Sequence, residues 1–226
     1  MKLGALLLCG GKGERLGLSE DKALATLCGR PLFTWSLDAL RRSHSSPGIV
    51  IVGPVAKLRA ALASSGVGDA GVVGWTEGGR QRQDSVARGL AALPPEYDVV
   101  AVHDCARALV TPDVIDRAVS DAAAHGAAIA AVPLEDTLKR ATLGVIDQTV
   151  PRAGLWRAQT PQVFRREWLE QAHATAVGVA TDDAALLEAA GRRVRVTPGD
   201  VTNFKITWPG DLAIAAAVLE ARNGGG

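Results

Sequence analysis

An apolar run leads directly into a glycine-rich loop in the segment Leu3-Gly4-Ala5-Leu6-Leu7-Leu8-Cys9-Gly10-Gly11-Lys12-Gly13-Glu14-Arg15-Leu16-Gly17. The run is typical of a buried strand, and glycines let a backbone approach a ligand closely. Consecutive N–H groups of such a loop can converge on phosphate oxygens, while Arg15 and the later Lys22 neutralise their charge. The segment predicts a polyphosphate-binding loop after the first strand, although an ordinary strand-to-turn connection has the same residue types.

The spacing of the loop excludes two better-known phosphate-binding loops. The dinucleotide-binding fingerprint requires a glycine at the position of Leu16. A Walker A loop requires Gly-Lys followed by Ser or Thr, a tripeptide that this sequence lacks. The loop therefore indicates a phosphate site of another kind.

Length and charge narrow the class of protein. The 226 residues suit a single α/β domain, 1–226, because no linker divides them. Basic and acidic residues nearly cancel, 25 against 24 for a net charge of +1, which argues against nucleic acid as a partner. No segment reaches the roughly 18 consecutive apolar residues of a membrane span, so we expect no membrane partner.

The cysteines indicate a reducing compartment. Cys9, Cys28 and Cys105 are odd in number and show no Cys-x-x-Cys spacing. This pattern argues against a disulfide framework and against a structural zinc site. We expect a cytoplasmic protein.

Short apolar runs alternate with helical segments along most of the chain. The pattern predicts strands at residues 3–8, 49–52, 72–75, 99–102 and 127–132, and helices at 31–40, 55–63, 85–93 and 111–124. This βαβα order predicts a doubly wound, mostly parallel sheet in a three-layer α/β/α sandwich. Ligands of such folds bind at the carboxyl ends of the strands.

Residues 136–152 depart from this alternation. Two short strand-like stretches, 137–140 and 145–152, flank a turn at Gly144 and predict a projecting β-hairpin arm. A hairpin alone is marginally stable in water, so we expect it to pair with its twin in a homodimer. The chain then returns to helix and strand, with a last helix at about 209–222 and a disordered tail at 223–226.

Two further segments carry candidate ligand-binding residues. Gly78-Gly79-Arg80-Gln81-Arg82-Gln83-Asp84-Ser85 places two glycines and a hydroxyl at a helix start, where a nucleotide base or ribose fits as well as an ordinary cap does. Asp104 follows an apolar strand and can offer oxygen ligands to a divalent cation, or merely cap a turn. His103 is interpreted as a packed structural residue.

Charged residues elsewhere are ambiguous on their own. Arg152 and Lys205 lie in strand-like surroundings, where a desolvated cation needs an anion, either a surface carboxylate or a substrate phosphate. Asp182 and Asp183 precede a helical run and are interpreted as a helix N-terminus rather than as catalytic groups.

Read together, the motifs resemble the 2-C-methyl-D-erythritol 4-phosphate cytidylyltransferase family. The likeness extends from residue 6 to residue 219 and rests on seven motifs in the same order: Gly11-x-Gly13-x-Arg15 with Lys22; Gly78-Gly79-x-x-Arg82-x-x-Ser85-Val86; His103-Asp104-x-Ala106-Arg107; Asp136-Thr137-Leu138-Lys139-Arg140; Arg152-x-x-Leu155-Trp156-x-x-Gln159-Thr160-Pro161-Gln162-x-Phe164; Thr181-Asp182-Asp183; and Asn203-x-Lys205-x-Thr207 with Asp211-Leu212. The departures are Cys9-Gly10, Cys105 and Ala108, where the family usually has two alanines, an alanine and a proline.

The resemblance implies a nucleotidyltransferase-like fold and transfer of CMP from CTP to methylerythritol phosphate, with Mg²⁺ or another divalent cation. Implied catalytic residues are Arg15, Lys22, Arg152 and Lys205. Implied nucleotide-binding residues are Cys9, Gly10, Gly11, Gly13, Gly79, Ser85, Asp104 and Cys105, with Asp104 also the implied metal ligand. Implied acceptor-binding residues are Arg107, Thr137, Arg152, Thr160 and Lys205, of which Thr137 and Arg152 lie on the arm and can serve the partner's site.

Two alternatives stay open at this point. A ribitol 5-phosphate cytidylyltransferase shares the glycine loop, the aspartate and the Gln-Thr-Pro-Gln segment. A non-catalytic nucleotide-binding module can use the same sandwich, although loss of Arg15, Lys22 or Asp104 would favour it and all three are present.

Overall fold

The structure is a computed structural model that describes residues 1–17, 21–45 and 47–224. Within these residues the strands are β1 (Leu3–Leu8), β2 (Thr26–Leu27), β3 (Arg30–Pro31), β4 (Gly48–Val52), β5 (Val72–Thr76), β6 (Val99–Asp104), β7 (Ala127–Pro133), β8 (Leu138–Thr142), β9 (Val145–Val150), β10 (Trp156–Arg165) and β11 (Arg195–Pro198). The α-helices are α1 (Leu32–Arg42), α2 (Val55–Ser64), α3 (Arg82–Ala92), α4 (Pro112–His125), α5 (Arg166–Thr175), α6 (Asp183–Ala189) and α7 (Pro209–Gly224). Short 3₁₀ turns lie at Glu14–Leu16 and Lys22–Leu24.

Seven of the described strands form one sheet in the order β11-β7-β10-β6-β1-β4-β5. Strand β10 pairs antiparallel with β6 and β7, and the other neighbours pair in parallel. The expected doubly wound, mostly parallel sheet is therefore confirmed. No helix within the described part of the chain is long and apolar enough to span a bilayer.

Both faces of the sheet are covered, which explains the nearly continuous apolar strands. On β1, Ala5 and Leu7 face the cluster that contains side chains of α1, α2 and α4. Leu6 and Leu8 face the opposite cluster, with side chains of α3, α5 and α6. Successive strand residues point to opposite faces, so a strand buried on both sides needs apolar residues at every position.

Several element boundaries differ from the sequence-based expectation for identifiable reasons. Helix α3 begins at Arg82 rather than at residue 85, because Gln81 and Asp84 form a reciprocal capping box. The expected cap of α4 is confirmed, with Thr111 accepting from the N–H of Val114. Helix α7 continues to Gly224, so residues 223 and 224, expected to be part of a disordered tail, are helical; residues 225 and 226 lie outside the described residues.

The predicted hairpin arm is present as β8 and β9, joined at Leu143 and Gly144. Both turn residues have positive φ, 50° and 82°, as tight hairpin turns require. Among the described strands, β8 and β9 pair only with each other. The arm exposes Leu143, Val145 and Ile146, at 99%, 69% and 60% of their accessible surface.

Replacing Leu7 with alanine tests the role of the buried sheet. Leu7 lies on β1 and is fully buried against the helices of one face of the sheet. Its replacement by alanine loses transfer free energy and leaves a cavity, and together these effects destabilise the fold by about 2–5 kcal/mol. Urea denaturation measures the change, and Val177→Ala, at a fully exposed side chain, is the control with a change within about 0.5 kcal/mol. Equal effects of the two substitutions would contradict the assigned core.

Candidate active site

A cavity of about 290 Å³ opens at the carboxyl ends of β1 and β6. This is the edge of a doubly wound sheet where ligands bind. The cavity brings together nine of the residues that the sequence singles out: Gly10, Gly11, Arg15, Lys22, Gly79, Ser85, Asp104, Cys105 and Lys205. Residues from five separate segments therefore converge on one site.

The glycine loop forms one wall of the cavity. Gly11 has a φ of 140°, which L side chains rarely adopt, and a Cβ built there has open space around it. The carbonyl of Gly11 accepts from the N–H of Lys22 at 3.1 Å, and Lys12 forms a β-bridge with Asp21. These contacts close the loop on itself and bring Lys22 next to it.

Six lysine and arginine side chains line the cavity, and Arg15, Lys22 and Lys205 among them lie close to one another. The ammonium of Lys22 donates to the carbonyl of Ile206 at 3.0 Å, and Arg15 is exposed on the loop. Partial burial, together with the nearby charges of Lys205 and Arg15, lowers the pKa of Lys22 below its usual value. With six cations and one carboxylate, Asp104, in its lining, the site is electropositive and suited to a polyanion.

The start of α3 forms the opposite wall. Ser85 Oγ accepts from the N–H of Gly79 at 2.9 Å and donates to the carbonyl of Gln81 at 3.1 Å. A Cβ at Gly79 would press against the backbone of Asp84 and Ser85, which explains the glycine. The two glycines and the hydroxyl thus form a tight corner, and binding of a nucleotide base or ribose there stays a prediction.

Asp104 lies at the centre of the charges. Its side chain is largely buried, and its two oxygens take different cations: Oδ1 accepts from Nε of Arg82 at 3.1 Å, and Oδ2 from Nζ of Lys205 at 2.7 Å. Burial opposes the ionised form, but Arg82 and Lys205 hold the pKa of Asp104 well below its usual range. Asp104 is therefore a carboxylate throughout the physiological pH range.

Packing places Lys205 beside Asp104. The neighbouring Ile206 is fully buried in a cluster with Leu109 and Leu219, under α7. The N–H of Ile206 also donates to the carbonyl of Ala106 at 2.8 Å. The chain segment before α7 is thereby fixed against the loop that follows Asp104.

Arg82 is a site residue that the sequence analysis does not single out. It lines the cavity and contacts Asp183 as well as Asp104, with Nη1 2.6 Å from Oδ2 of Asp183. Burial alone would lower the pKa of Arg82, but these two carboxylates raise that pKa above its usual value. The available signal is its place in the Gly78-to-Val86 motif; its partners are distant in sequence.

His103 and Thr160 form the floor beneath Asp104. Thr160 Oγ1 accepts from the N–H of Asp104 at 3.1 Å and lies 3.0 Å from Nδ1 of His103, and both side chains are buried. His103 is thus a packed, hydrogen-bonded residue, as interpreted from the sequence. Thr160, expected to bind the acceptor, lies outside the cavity lining and supports the backbone of Asp104.

Other expected site residues also lie outside the cavity lining. Cys9 is buried next to Cys105, and its burial raises the pKa of its thiol. Arg107 donates to the carbonyls of Asn203 and Ala158, at 2.9 Å and 3.1 Å, and so fixes the surrounding loops. Gly13 is buried in the loop, while Thr137 and Arg152 are exposed at the arm. Ligand contacts of these residues stay predictions.

The residues at the cavity fit a divalent cation that brings its own phosphate ligands. Asp104 supplies oxygens, the donor type that Mg²⁺ prefers, and Mg²⁺ is commonly held by one or two carboxylates together with water and substrate phosphates. The described residues contain no group of three or more His, Cys, Asp or Glu side chains placed to hold a metal by themselves. A cation at Asp104 therefore requires the nucleotide.

Cations around a single carboxylate can bind a triphosphate and stabilise charge, while the nucleophile comes from a second substrate. The fold and the site together define a nucleotidyltransferase. The model of one family, IspD, described as 2-C-methyl-D-erythritol 4-phosphate cytidylyltransferase, matches residues 3–221. The chain belongs to this family.

Known proteins of the same description are similar over nearly their whole length. The 2-C-methyl-D-erythritol 4-phosphate cytidylyltransferase of Gloeobacter violaceus is 42% identical, over 96% of this chain and 96% of that protein. The one of Pelotomaculum thermopropionicum is 40% identical, over 99% and 96%. The crystal structure of the Thermus thermophilus protein of that name superposes with a TM-score of 0.78 at 34% identity, over 95% of this chain and 98% of that one.

The buried histidine predicts a pH-dependent stability. Burial lowers the pKa of His103 to about 4, whereas unfolding returns it to about 6.5. Between these values the unfolded state binds a proton that the folded state does not, so stability is complete above pH 6.5 and falls as the pH decreases towards 4, by at most about 3 kcal/mol.

Urea denaturation at pH 7 and pH 4.5 measures this contribution when the protein is compared with its His103→Gln variant, which cannot titrate. We expect the variant to lose about 2–3 kcal/mol less stability on acidification. An identical pH dependence in both proteins would show that His103 is not held neutral by burial.

Proposed function

We propose that Arg15, Lys22 and Lys205, arranged around Asp104, carry out the cytidylyl transfer of this family. The enzyme transfers CMP from CTP to 2-C-methyl-D-erythritol 4-phosphate and releases pyrophosphate, in the non-mevalonate pathway of isoprenoid biosynthesis. The observation that supports these residue roles is the convergence of the three cations on one cavity beside the glycine loop.

The reaction needs cations more than it needs a base. The second pKa of a phosphate monoester is about 6, so the acceptor phosphate is already an anionic nucleophile near neutral pH. Its oxygen attacks the α-phosphorus of CTP, a new P–O bond forms, and the bond from the α-phosphorus to the bridging oxygen breaks to release pyrophosphate. Arg15 and Lys22 stabilise the charge that develops on the α-phosphate and on the departing pyrophosphate.

The walls of the cavity suggest how CTP lies. The loop at Gly10 and Gly11 takes the triphosphate, and the corner at Gly79 and Ser85 takes the cytidine. The oxygens of Asp104 keep further lone pairs beside their bonds to Arg82 and Lys205. Asp104 and the triphosphate would together hold a divalent cation, which we propose is Mg²⁺ and which would neutralise phosphate charge. Lys205 then receives the acceptor phosphate.

We propose that the arm completes the acceptor site of a second subunit. Arg152 and Thr137 are exposed at the arm and lie outside the cavity lining of their own chain. The arm also carries the exposed Leu143, Val145 and Ile146 and has little support from the rest of the chain. A symmetric dimer would bury these side chains and bring Arg152 to a partner's cavity.

We propose a cytoplasmic location. Cys9, Cys28 and Cys105 all lie in the described part of the chain as free thiols. Free thiols are typical of a reducing compartment.

Release of pyrophosphate from CTP tests the proposed function. With Mg²⁺ present, we compare methylerythritol 4-phosphate with ribitol 5-phosphate as acceptors. Release that depends on the first acceptor supports the proposal, whereas release with ribitol 5-phosphate alone keeps the mechanism and refutes the acceptor. CTP binding without release under either condition would indicate a binding module.

Alanine at Lys22 or Arg15 should remove transition-state stabilisation. Each loss of a cation that faces the developing charge lowers kcat by about a hundredfold or more, equivalent to roughly 3 kcal/mol. Steady-state kinetics measures this, with Arg42→Ala, at an exposed arginine of α1, as the control that keeps normal turnover. Near-normal kcat in either variant, with the fold intact, would refute that residue's role.

Mixing two inactive variants tests the role of the arm. A heterodimer of Lys22→Ala and Arg152→Ala subunits has one intact site if Arg152 serves the partner, because the subunit with normal Lys22 receives a normal Arg152. Random reassociation should then restore about a quarter of normal activity. No recovery, with heterodimers verified by mass spectrometry, would place Arg152 at its own subunit's site, and normal activity of Arg152→Ala alone would place it outside catalysis.

A further inference from the structure

Asp183 is a buried carboxylate outside the cavity lining that reaches the site through Arg82. Its side chain is 1% exposed. Oδ2 accepts from Nη1 of Arg82 at 2.6 Å, and Oδ1 lies 3.1 Å from Nε2 of His173, which α5 contributes. A helix N-terminus alone, the sequence-based interpretation, does not require such contacts.

The backbone beneath Asp183 is fixed independently. Gln162 Oε1 accepts from the N–H of Asp183 at 3.2 Å and from that of Ala184 at 3.3 Å. The amide of Gln162 donates to Asp182 at 2.8 Å, and Asp182 caps α6 by accepting from Ala185. Because Gln162 lies on β10, directly opposite Val102 of β6, this arrangement ties α6 to the strand that carries Asp104.

Arg82 is shared between two carboxylates in an unusual way. Arginine tends to bind one carboxylate through two nitrogens, but Arg82 gives Asp104 only Nε and gives Asp183 Nη1. One oxygen of Asp104 is thereby left for Lys205, at 2.7 Å. Nη2 of Arg82 has no partner among the described residues.

We propose that Asp183 is a positioning residue that restricts Arg82 to one oxygen of Asp104 and so keeps the other oxygen for Lys205. Without the charge of Asp183, Arg82 is free to rotate onto both oxygens of Asp104 and displace the ammonium of Lys205. This inference rests on the proposed function, because it assigns the acceptor phosphate to Lys205.

A double-mutant cycle between Asp183 and Arg82 tests the proposal. Asp183→Asn keeps the shape of the side chain but loses its charge. We expect kcat/KM for methylerythritol 4-phosphate to fall about tenfold, mostly through a higher KM, as is typical when a partner of a site residue is lost. In an Arg82→Ala background the same substitution should change kcat/KM less than about twofold, because no guanidinium remains to be misplaced.

Matched variants separate positioning from stability. Glu188→Gln removes the charge of an exposed carboxylate on the same helix, so its kinetics should stay normal. Arg82→Lys keeps the charge but cannot span both carboxylates, so its ammonium can pair with Asp104 alone and compete with Lys205. This variant should therefore lose about as much kcat/KM as Asp183→Asn. This second variant decides the question if Asp183→Asn does not fold.

Two results would overturn the proposal: an unchanged acceptor KM in Asp183→Asn or Arg82→Lys, or equal losses from Asp183→Asn in the presence and absence of Arg82. Failure of the proposed function is recognised separately, by absence of turnover in the unmodified protein. In that case the crystal structure of Asp183→Asn must show Arg82 on both oxygens of Asp104 and Lys205 displaced, and an unmoved Arg82 would overturn the proposal.

Discussion

The ion pairs of Asp104 join three parts of the chain that are far apart in sequence. The carboxylate ends β6, Arg82 begins α3, and Lys205 precedes α7. A largely buried carboxylate is costly unless its charge is compensated, and here each oxygen has its own cation. The geometry of the cavity depends on this arrangement, because it fixes two of the cations that face the ligand.

The sheet provides the frame on which these charges are placed. Parallel strands bring the ends of β1 and β6 to the same edge, where Leu8 and Asp104 are register partners. After the loop that follows β1, the N–H of Lys22 donates to the carbonyl of Gly11, and this contact holds Lys22 at the same edge of the sheet. Cations from the loop and from the segment before α7 thus surround the space next to Asp104, and a triphosphate with a divalent cation balances their charge.

The sequence predicts the parts of the fold that local patterns determine. Strands buried on both faces are continuous apolar runs, and for this reason the predicted bounds of five strands agree closely with the observed ones: β1, β4, β5, β6 and β7. Strand β10 is not predicted, because Gln159, Thr160 and Gln162 interrupt its pattern. These side chains are buried by contacts that appear only in the folded chain, with Asp200, the Asp104 backbone and Asp182.

The residues of the site are likewise predicted where a local sequence pattern marks them and missed where only long-range contacts do. Glycines, cations and Asp104 carry local signals at strand ends and helix starts, and the cavity brings most of them together. Arg82 stands in the Gly78-to-Val86 motif, but its role is not predicted, because its two partners lie 22 and 101 residues away. A structure with CTP and Mg²⁺ bound tests the central claim most directly: the account predicts the triphosphate on the glycine loop between Arg15 and Lys22, with its α-phosphate and the metal next to Asp104. A nucleotide bound away from Asp104, with these cations free of phosphate, would contradict it.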